Sequence, residues 1–161
     1  MTIRPIDPRT PGEVELVAER MRLTLMEVLG PERGRDYYPL DWLIDRVRFH
    51  LDPRRSAGAV WVAEDTDGAL IGHTIVREER DEQGTYGLFS TTFVAPDARR
   101  QGVARALVDE GEAWMKARGL HRAATATAAD NSKLIGLFRE RGYRIVVRSG
   151  EMVRLEGRLV G

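Results

Sequence analysis

The segment of this chain best equipped for chemistry is the run Val94-Ala95-Pro96-Asp97-Ala98-Arg99-Arg100-Gln101-Gly102-Val103-Ala104. It joins the end of an apolar strand to the start of a helix through a turn that can hold a pyrophosphate. Peptide N–H groups in a first helical turn have no intrahelical partner and sit at the positive end of the helix dipole, so an anion there gains hydrogen bonds and favourable electrostatics. Gly102 and Ala104 keep the approach uncluttered. Arg99, Arg100 and Arg105 stand beside it as phosphate contacts, or as ordinary solvated arginines. The turn lacks both the Gly-Lys-Ser/Thr ending of a nucleoside-triphosphatase loop and the three spaced glycines of a dinucleotide fingerprint. It points to a nucleotide-like cofactor of another kind.

The elements that must position this turn follow it in order. Ala104, Leu107, Val108, Gly111, Trp114 and Met115 recur at helical spacing as one apolar stripe, and Gly119 stops the helix. A strand is predicted over Arg122 to Ala128. Asp130-Asn131-Ser132 then opens a helix carrying Leu134, Ile135, Leu137 and Phe138, which ends at Gly142. This order resembles the acyl-coenzyme A half of the GNAT N-acetyltransferases. The family pattern Arg/Gln-x-x-Gly-x-Gly/Ala is met by Arg99, Gly102 and Ala104. Its last helix, opened by Asn and ending Leu-Tyr-x-x-x-Gly-Phe/Tyr, is matched by Asn131 and by Leu137-Phe138-Arg139-Glu140-Arg141-Gly142-Tyr143.

Upstream, Thr2 to Ile6 reads as a first strand. Pro11 stands at the start of a helix bearing Val14, Val17, Ala18, Met21, Leu25 and Leu29, which Gly30-Pro31 ends. Glu32 to Pro39 reads as a polar loop, and Asp41 as the cap of a helix with Trp42, Ile44, Val47 and Leu51. Ala59 to Glu64, Ala69 to Glu78 and Thr85 to Val94 form a three-strand meander, its second turn a charged segment ending at Gly84. Tyr143 to Arg148 and Glu151 to Leu155 are short strands around Ser149-Gly150. The fold class is α/β (α+β): a mixed central sheet of about seven strands flanked by about four helices. The resemblance runs along nearly the whole length. It implies that the strands ending near Val94 and Ala128 splay apart to admit pantetheine.

The resemblance further implies transfer of an acetyl group from acetyl-CoA to a primary amine of a small molecule or peptide, by direct attack on the thioester. The alternative is a non-catalytic acyl-CoA sensor or regulatory domain. Implied cofactor contacts are Phe93, Val94, Arg99, Arg100, Gln101, Gly102, Val103, Ala104, Arg105, Asn131 and Phe138, with a backbone N–H near Phe93 or Val94 facing the oxyanion. Asn131 also reads as a plain helix cap. An alkyl amine has a pKa of about 10, so a proton must be removed before attack. The chain departs from the family at both proton-handling positions. Phe138 stands where a tyrosine acid is often found, and Leu88-Phe89-Ser90-Thr91-Thr92-Phe93 lacks the glutamate of some members. A thiol resembling cysteine, with a pKa of roughly 8.5, leaves tolerably without that acid.

Three residues are base candidates: His73, which also reads as a sheet-face histidine, and Glu78 and Glu79, which also read as part of a solvated charged turn. Tyr37, Tyr38 and Trp42 occupy the region that shapes the acceptor site in the family, or serve as core and staple residues.

Composition narrows the setting. The 161 residues suit one domain, residues 1–161. With 25 basic and 25 acidic residues the net charge is zero, so no general attraction to nucleic acid or to an anionic membrane is expected. The absence of cysteine excludes a disulfide framework, a thiolate nucleophile and a zinc ribbon, and the three histidines lack metal-ligand spacing. No run reaches membrane length and Met1-Thr2-Ile3-Arg4-Pro5 has no signal-peptide core, so the expected location is cytoplasmic. Homodimers are frequent in the family that the chain resembles.

Overall fold

A computed structural model describes residues 1–99 and 101–160. Its seven strands are β1 (Thr2–Pro5), β2 (Gly58–Glu64), β3 (Leu70–Asp81), β4 (Gly84–Val94), β5 (Arg122–Ala128), β6 (Arg144–Ser149) and β7 (Met152–Arg158). They form one sheet in the order β1-β2-β3-β4-β5-β7-β6, antiparallel throughout except for the parallel pair β4 and β5. Among the described residues the helices are α1 (Glu13–Leu29), α2 (Pro31–Tyr37), α3 (Leu40–Leu51), α4 (Val103–Ala117) and α5 (Ser132–Glu140), with a 3-10 turn at Pro96–Ala98. The connection from β4 through α4 to β5 is the crossover that a parallel pair requires.

Each face of the sheet has its own core. Val14, Val17, Ala18 and Met21 of α1 and Leu43 and Val47 of α3 cover Val60, Val62 and Ile75. On the other face the α4 stripe of Val103, Leu107, Val108 and Met115, together with Phe138 of α5, covers Ala63, Val76, Phe89, Ala123 and Leu155. The alternation along β2, β3 and β4 that feeds both cores is the two-residue period of a pleated strand. α4 lies close against the sheet because Gly111 has no side chain: a Cβ there would stand 2.3 Å from the Phe89 ring.

The structure departs from the sequence reading in four places. The predicted polar loop Glu32 to Pro39 is mostly helix, α2, with Pro31 at its first position. Proline suits that position because its missing N–H would have no partner there anyway. α1 begins after Gly12 rather than at Pro11, and α3 is preceded by Pro39, leaving Asp41 inside the first turn with its carboxylate accepting from the Trp42 N–H at 3.0 Å. The charged turn after β3 is absorbed into a hairpin that pairs as far as Asp81 with Gly84, where Gly84 takes φ 113°.

Candidate functional site

The site is a fork in the sheet. β4 and β5 pair only from Gly87 with Ala123 to Phe89 with Thr125, although β4 continues to Val94 and β5 to Ala128. At the apex the Thr125 hydroxyl donates to the Phe89 carbonyl at 3.2 Å. The separation begins where β4 carries a bulge: Val76 pairs with Phe89 and Ile75 with Thr91, leaving Ser90 extra. A bulge bends its strand and increases the local twist, which turns the last residues of β4 away from β5.

The register decides which backbone groups line the gap. Antiparallel partners alternate between pairs that exchange hydrogen bonds and pairs that face outward. Ala95 donates to the Ile71 carbonyl at 2.8 Å, so Phe93 and Thr91 bond to β3 while the N–H and C=O groups of Thr92 and Val94 point into the fork. Arg99 Nε reaches the Val94 carbonyl from the mouth, at 3.3 Å.

At that mouth α4 begins. Gly102 precedes it in the left-handed region (φ 77°) with open space where a side chain would be. Ala106 donates to the Gly102 carbonyl, so the N–H groups of Val103, Ala104 and Arg105 have no partner within the helix. The first turn of α4 contains no acidic residue and no side chain caps it. The other helix ends differ: α5 has Asn131 accepting from the Leu134 N–H at 3.3 Å, and α1 has Glu13 and Glu15 in its first turn. A bare, positively polarised helix start at the open end of a sheet fork suits a pyrophosphate with an extended chain behind it.

On the opposite face α1 crosses the open end of the fork. Arg20 lies over the Phe93 ring of β4. About two turns further on, the helix faces the end of β5, where Glu27 and Val28 line a cleft of about 300 Å³ with Ala128, Ala129, Asp130 and Glu151.

Residues 23–143 match the profile of the Acetyltransferase (GNAT) family. The chain belongs to the GNAT acetyltransferase family. No curated protein sequence matches it. Among solved structures it is similar to the PaiA N-acetyltransferase from Thermoplasma acidophilum in complex with coenzyme A, at TM-score 0.76, 15% identity and 98% coverage of both chains. It is also similar to the ribosomal-protein-alanine N-acetyltransferase from Brucella melitensis, at TM-score 0.70, 18% identity and coverage of 99% and 100%. A third is the spermidine N-acetyltransferase from Vibrio cholerae in complex with CoA and spermine, at TM-score 0.69, 20% identity and coverage of 98% and 95%. At these identities the likeness is one of fold.

Against this GNAT frame the anticipated residues separate. Val94, Arg99, Gln101, Gly102, Ala104 and the backbone of Val103 gather at the fork mouth, while the Val103 side chain, 2% exposed, belongs to the core. Arg105 is tied to Glu140 at 3.1 Å on the surface. Asn131 caps α5 and donates to the Thr127 hydroxyl at 3.2 Å. Phe93 faces α1 with its side chain and β3 with its backbone N–H, so the fork-facing donors are those of Thr92 and Val94. Arg100 and the side chain of Tyr37 lie outside the described residues.

Phe138 does not reach the site. It is fully buried, edge to face with Phe89 and Tyr143 at 5.3 and 4.9 Å. The neighbouring phenol of Tyr143 is committed to Glu112 at 2.7 Å, and burial holds it well above its ordinary pKa, so it supplies no acid either.

The base candidates are not assembled around the fork. Glu78 and Glu79 pair with Gly87 and Tyr86, on the far side of the bulge from Val94, and are bound to Arg118 and Arg77. His73 lies beside Phe93, but it is wholly buried, and desolvation drops its pKa to about 3. The Tyr38 and Trp42 rings meet at a tilt, centroids 5.4 Å apart, where α2 meets α3, Trp42 half exposed. Arg20, Glu27, Thr92 and Glu151 carried no signal in sequence; only the packing of α1 across the fork collects them. Among the described residues no group of His, Asp and Glu is placed to hold a metal ion, and no helix is long and apolar enough to cross a membrane.

Proposed function

We propose that the chain is an acetyl-CoA-dependent N-acetyltransferase that acetylates a primary amine of a small molecule or peptide by direct attack, working in the cytoplasm. The observation that carries this reading is the fork whose mouth coincides with the uncapped start of α4. The residues present fit coenzyme A: three free N–H groups and the open Gly102 corner receive the pyrophosphate, and Arg99 stands beside them. The outward N–H and C=O groups of Thr92 and Val94 continue the β-strand hydrogen-bonding pattern to an extended pantetheine. Bound acetyl-CoA supplies a thioester, and the amine nitrogen gains the acetyl carbon as the C–S bond breaks, one amine proton passing to the thiolate and another to solvent.

The fork's outward N–H groups are preorganised donors for charge that develops on a carbonyl oxygen held between the strands. The acceptor approaches from the α1 face, opposite α4. There Glu27, Asp130 and Glu151 line the cleft at the end of β5 and receive the proton through water.

Thiol release from acetyl-CoA across a panel of amines tests the proposal, free of protein background because the chain contains no cysteine. Amine-dependent release supports transfer. Saturable CoA binding without release for any amine would favour the acyl-CoA sensor instead, a reading that the buried Phe138 and the tethered Glu78 and Glu79 would then explain.

A further inference from the structure

Arg20 and Arg46 are alike in lying over an aromatic ring with their pKa lowered by burial and no carboxylate partner, but only Arg20 stands beside the fork. Its guanidinium lies 5.3 Å from the Phe93 ring centroid and makes no hydrogen bond or ion pair with any described residue. Its surroundings desolvate it, which lowers its pKa, and Asp97, the carboxylate that acts the other way, lies beyond ion-pair distance. Arg4, Arg122, Arg141 and Arg154, by contrast, each touch a carboxylate.

On the same aromatic ring, 5.6 Å away and nearly parallel, stacks His73. It is 0% exposed, and neither ring nitrogen has a hydrogen-bond partner. A guanidinium without an anion and a buried imidazole without a partner thus meet on Phe93, beside the fork. A buried imidazole is seldom left without a partner.

The side of the sheet identifies what is missing. The start of α4, where the cofactor's phosphates fit, belongs to the face that carries Leu107 and Phe89. Arg20 projects from α1, on the face from which the acceptor comes. Seven positions along α1 from Arg20, hence on the same side of the helix and about 10 Å away, Glu27 presents the opposite charge at the end of β5. The helix therefore offers a cation over one prong of the fork and a carboxylate over the other.

We propose that Arg20 binds a carboxylate on the acceptor, so that the amine acetylated belongs to an amino acid or a similar amino carboxylate rather than to a plain alkylamine or polyamine. This rests on the acetyltransferase reading above. The planar guanidinium pairs its parallel N–H groups with the two carboxylate oxygens.

Two readouts test it. Thiol release is compared between the common amino acids and their decarboxylated amines, and N-acetyl amino acids are titrated against the matching N-acetylalkylamines with CoA present. The acids are expected to show at least about 10-fold higher kcat/KM and about 10-fold tighter product binding. Arg20→Met removes both preferences, Arg20→Lys retains part of them, and both variants keep CoA affinity and a cooperative melt. Equal use and equal binding of acids and amines overturns the inference, as does loss of CoA affinity in Arg20→Met. If no amine is acetylated but N-acetyl amino acids bind selectively through Arg20, carboxylate recognition stands and the transferase reading falls.

Discussion

On one face of the sheet α4 and α5 present a bare helix start and a capped helix start within a tightly interlocked core; on the other, α1 leaves an unpaired arginine and a buried, partnerless histidine beside the same fork. The first face is finished without a ligand, since its N–H donors at the α4 start are solvated at the rim and its buried phenol and glutamate are paired. The second is unfinished, with both His73 ring nitrogens unsatisfied and Arg20 without a carboxylate partner. The difference fits the tasks proposed for the two faces: phosphate recognition by backbone needs only a turn and a dipole, whereas acceptor recognition needs specific side chains with vacant bonds.

The sharpest way to break this contrast is Gly102→Glu. It places bulk, negative charge and an unfavourable φ at the anion site, and CoA affinity measured by calorimetry is expected to fall at least about 100-fold in a folded protein. Unchanged affinity would remove the α4 start from the site.

Gly111→Ala probes the packing of the same face. The added methyl meets the Phe89 ring and Val76, and a loss of about 1–3 kcal/mol in denaturant unfolding is expected. A wild-type midpoint would show that α4 lifts away freely.

Acid titration sharpens the contrast from the other face. Burial lowers the pKa of His50 to about 4 and that of His73 to about 3, both below the ordinary value near 6.5. As pH falls below about 6.5 the unfolded chain takes up protons that the native state refuses, so stability is complete above that pH and is lost down to about 4 for His50 and about 3 for His73. Melting temperatures across this window are expected to fall less steeply for His73→Leu than for the wild type, and the variant is expected to melt no lower at neutral pH, because the native imidazole has no partner to lose. His50→Leu instead lowers stability at neutral pH. His50 Nδ1–H donates to the Arg46 carbonyl at 2.8 Å, and Nε2 accepts from Arg77 at 3.0 Å.

The smallest effect is expected from Arg105→Ala, less than about 3-fold on CoA affinity, since Arg105 is exposed and already engaged with Glu140. A larger loss would return it to the phosphate contacts.

The face proposed for the cofactor was legible because its features follow from local order. Gly102 after an arginine-rich turn, the α4 stripe and Asn131 before Leu134 each announce an element boundary by a rule that acts within a few residues. α2 was missed because seven residues with one arginine-glycine pair in the middle show no apolar period, and its stability comes from packing beside α1. Phe138 was assigned to the cofactor by analogy, while its apolar ring sits against Phe89 and Tyr143, where burial is favourable. Glu78 and Glu79 were legible as a charged segment, but nothing local says that Arg118 and Arg77 hold them on the far side of the bulge.

The amino-acid sequence by itself determined the α/β class, the order of strands and long helices, the glycine turn before α4 and the motifs that resemble the family. The class and the turn rest on periodicity and on glycine, whose behaviour depends on near neighbours; the resemblance rests on Arg99, Gly102, Ala104, Asn131 and the Leu137 to Tyr143 segment. Only the tertiary structure decided that β4 parts from β5 after Phe89, that Thr92 and Val94 face the gap, and that α1 carries Arg20 over Phe93. A bulge, a register and a helix crossing are set by contacts between residues far apart in the chain, so no local pattern records them.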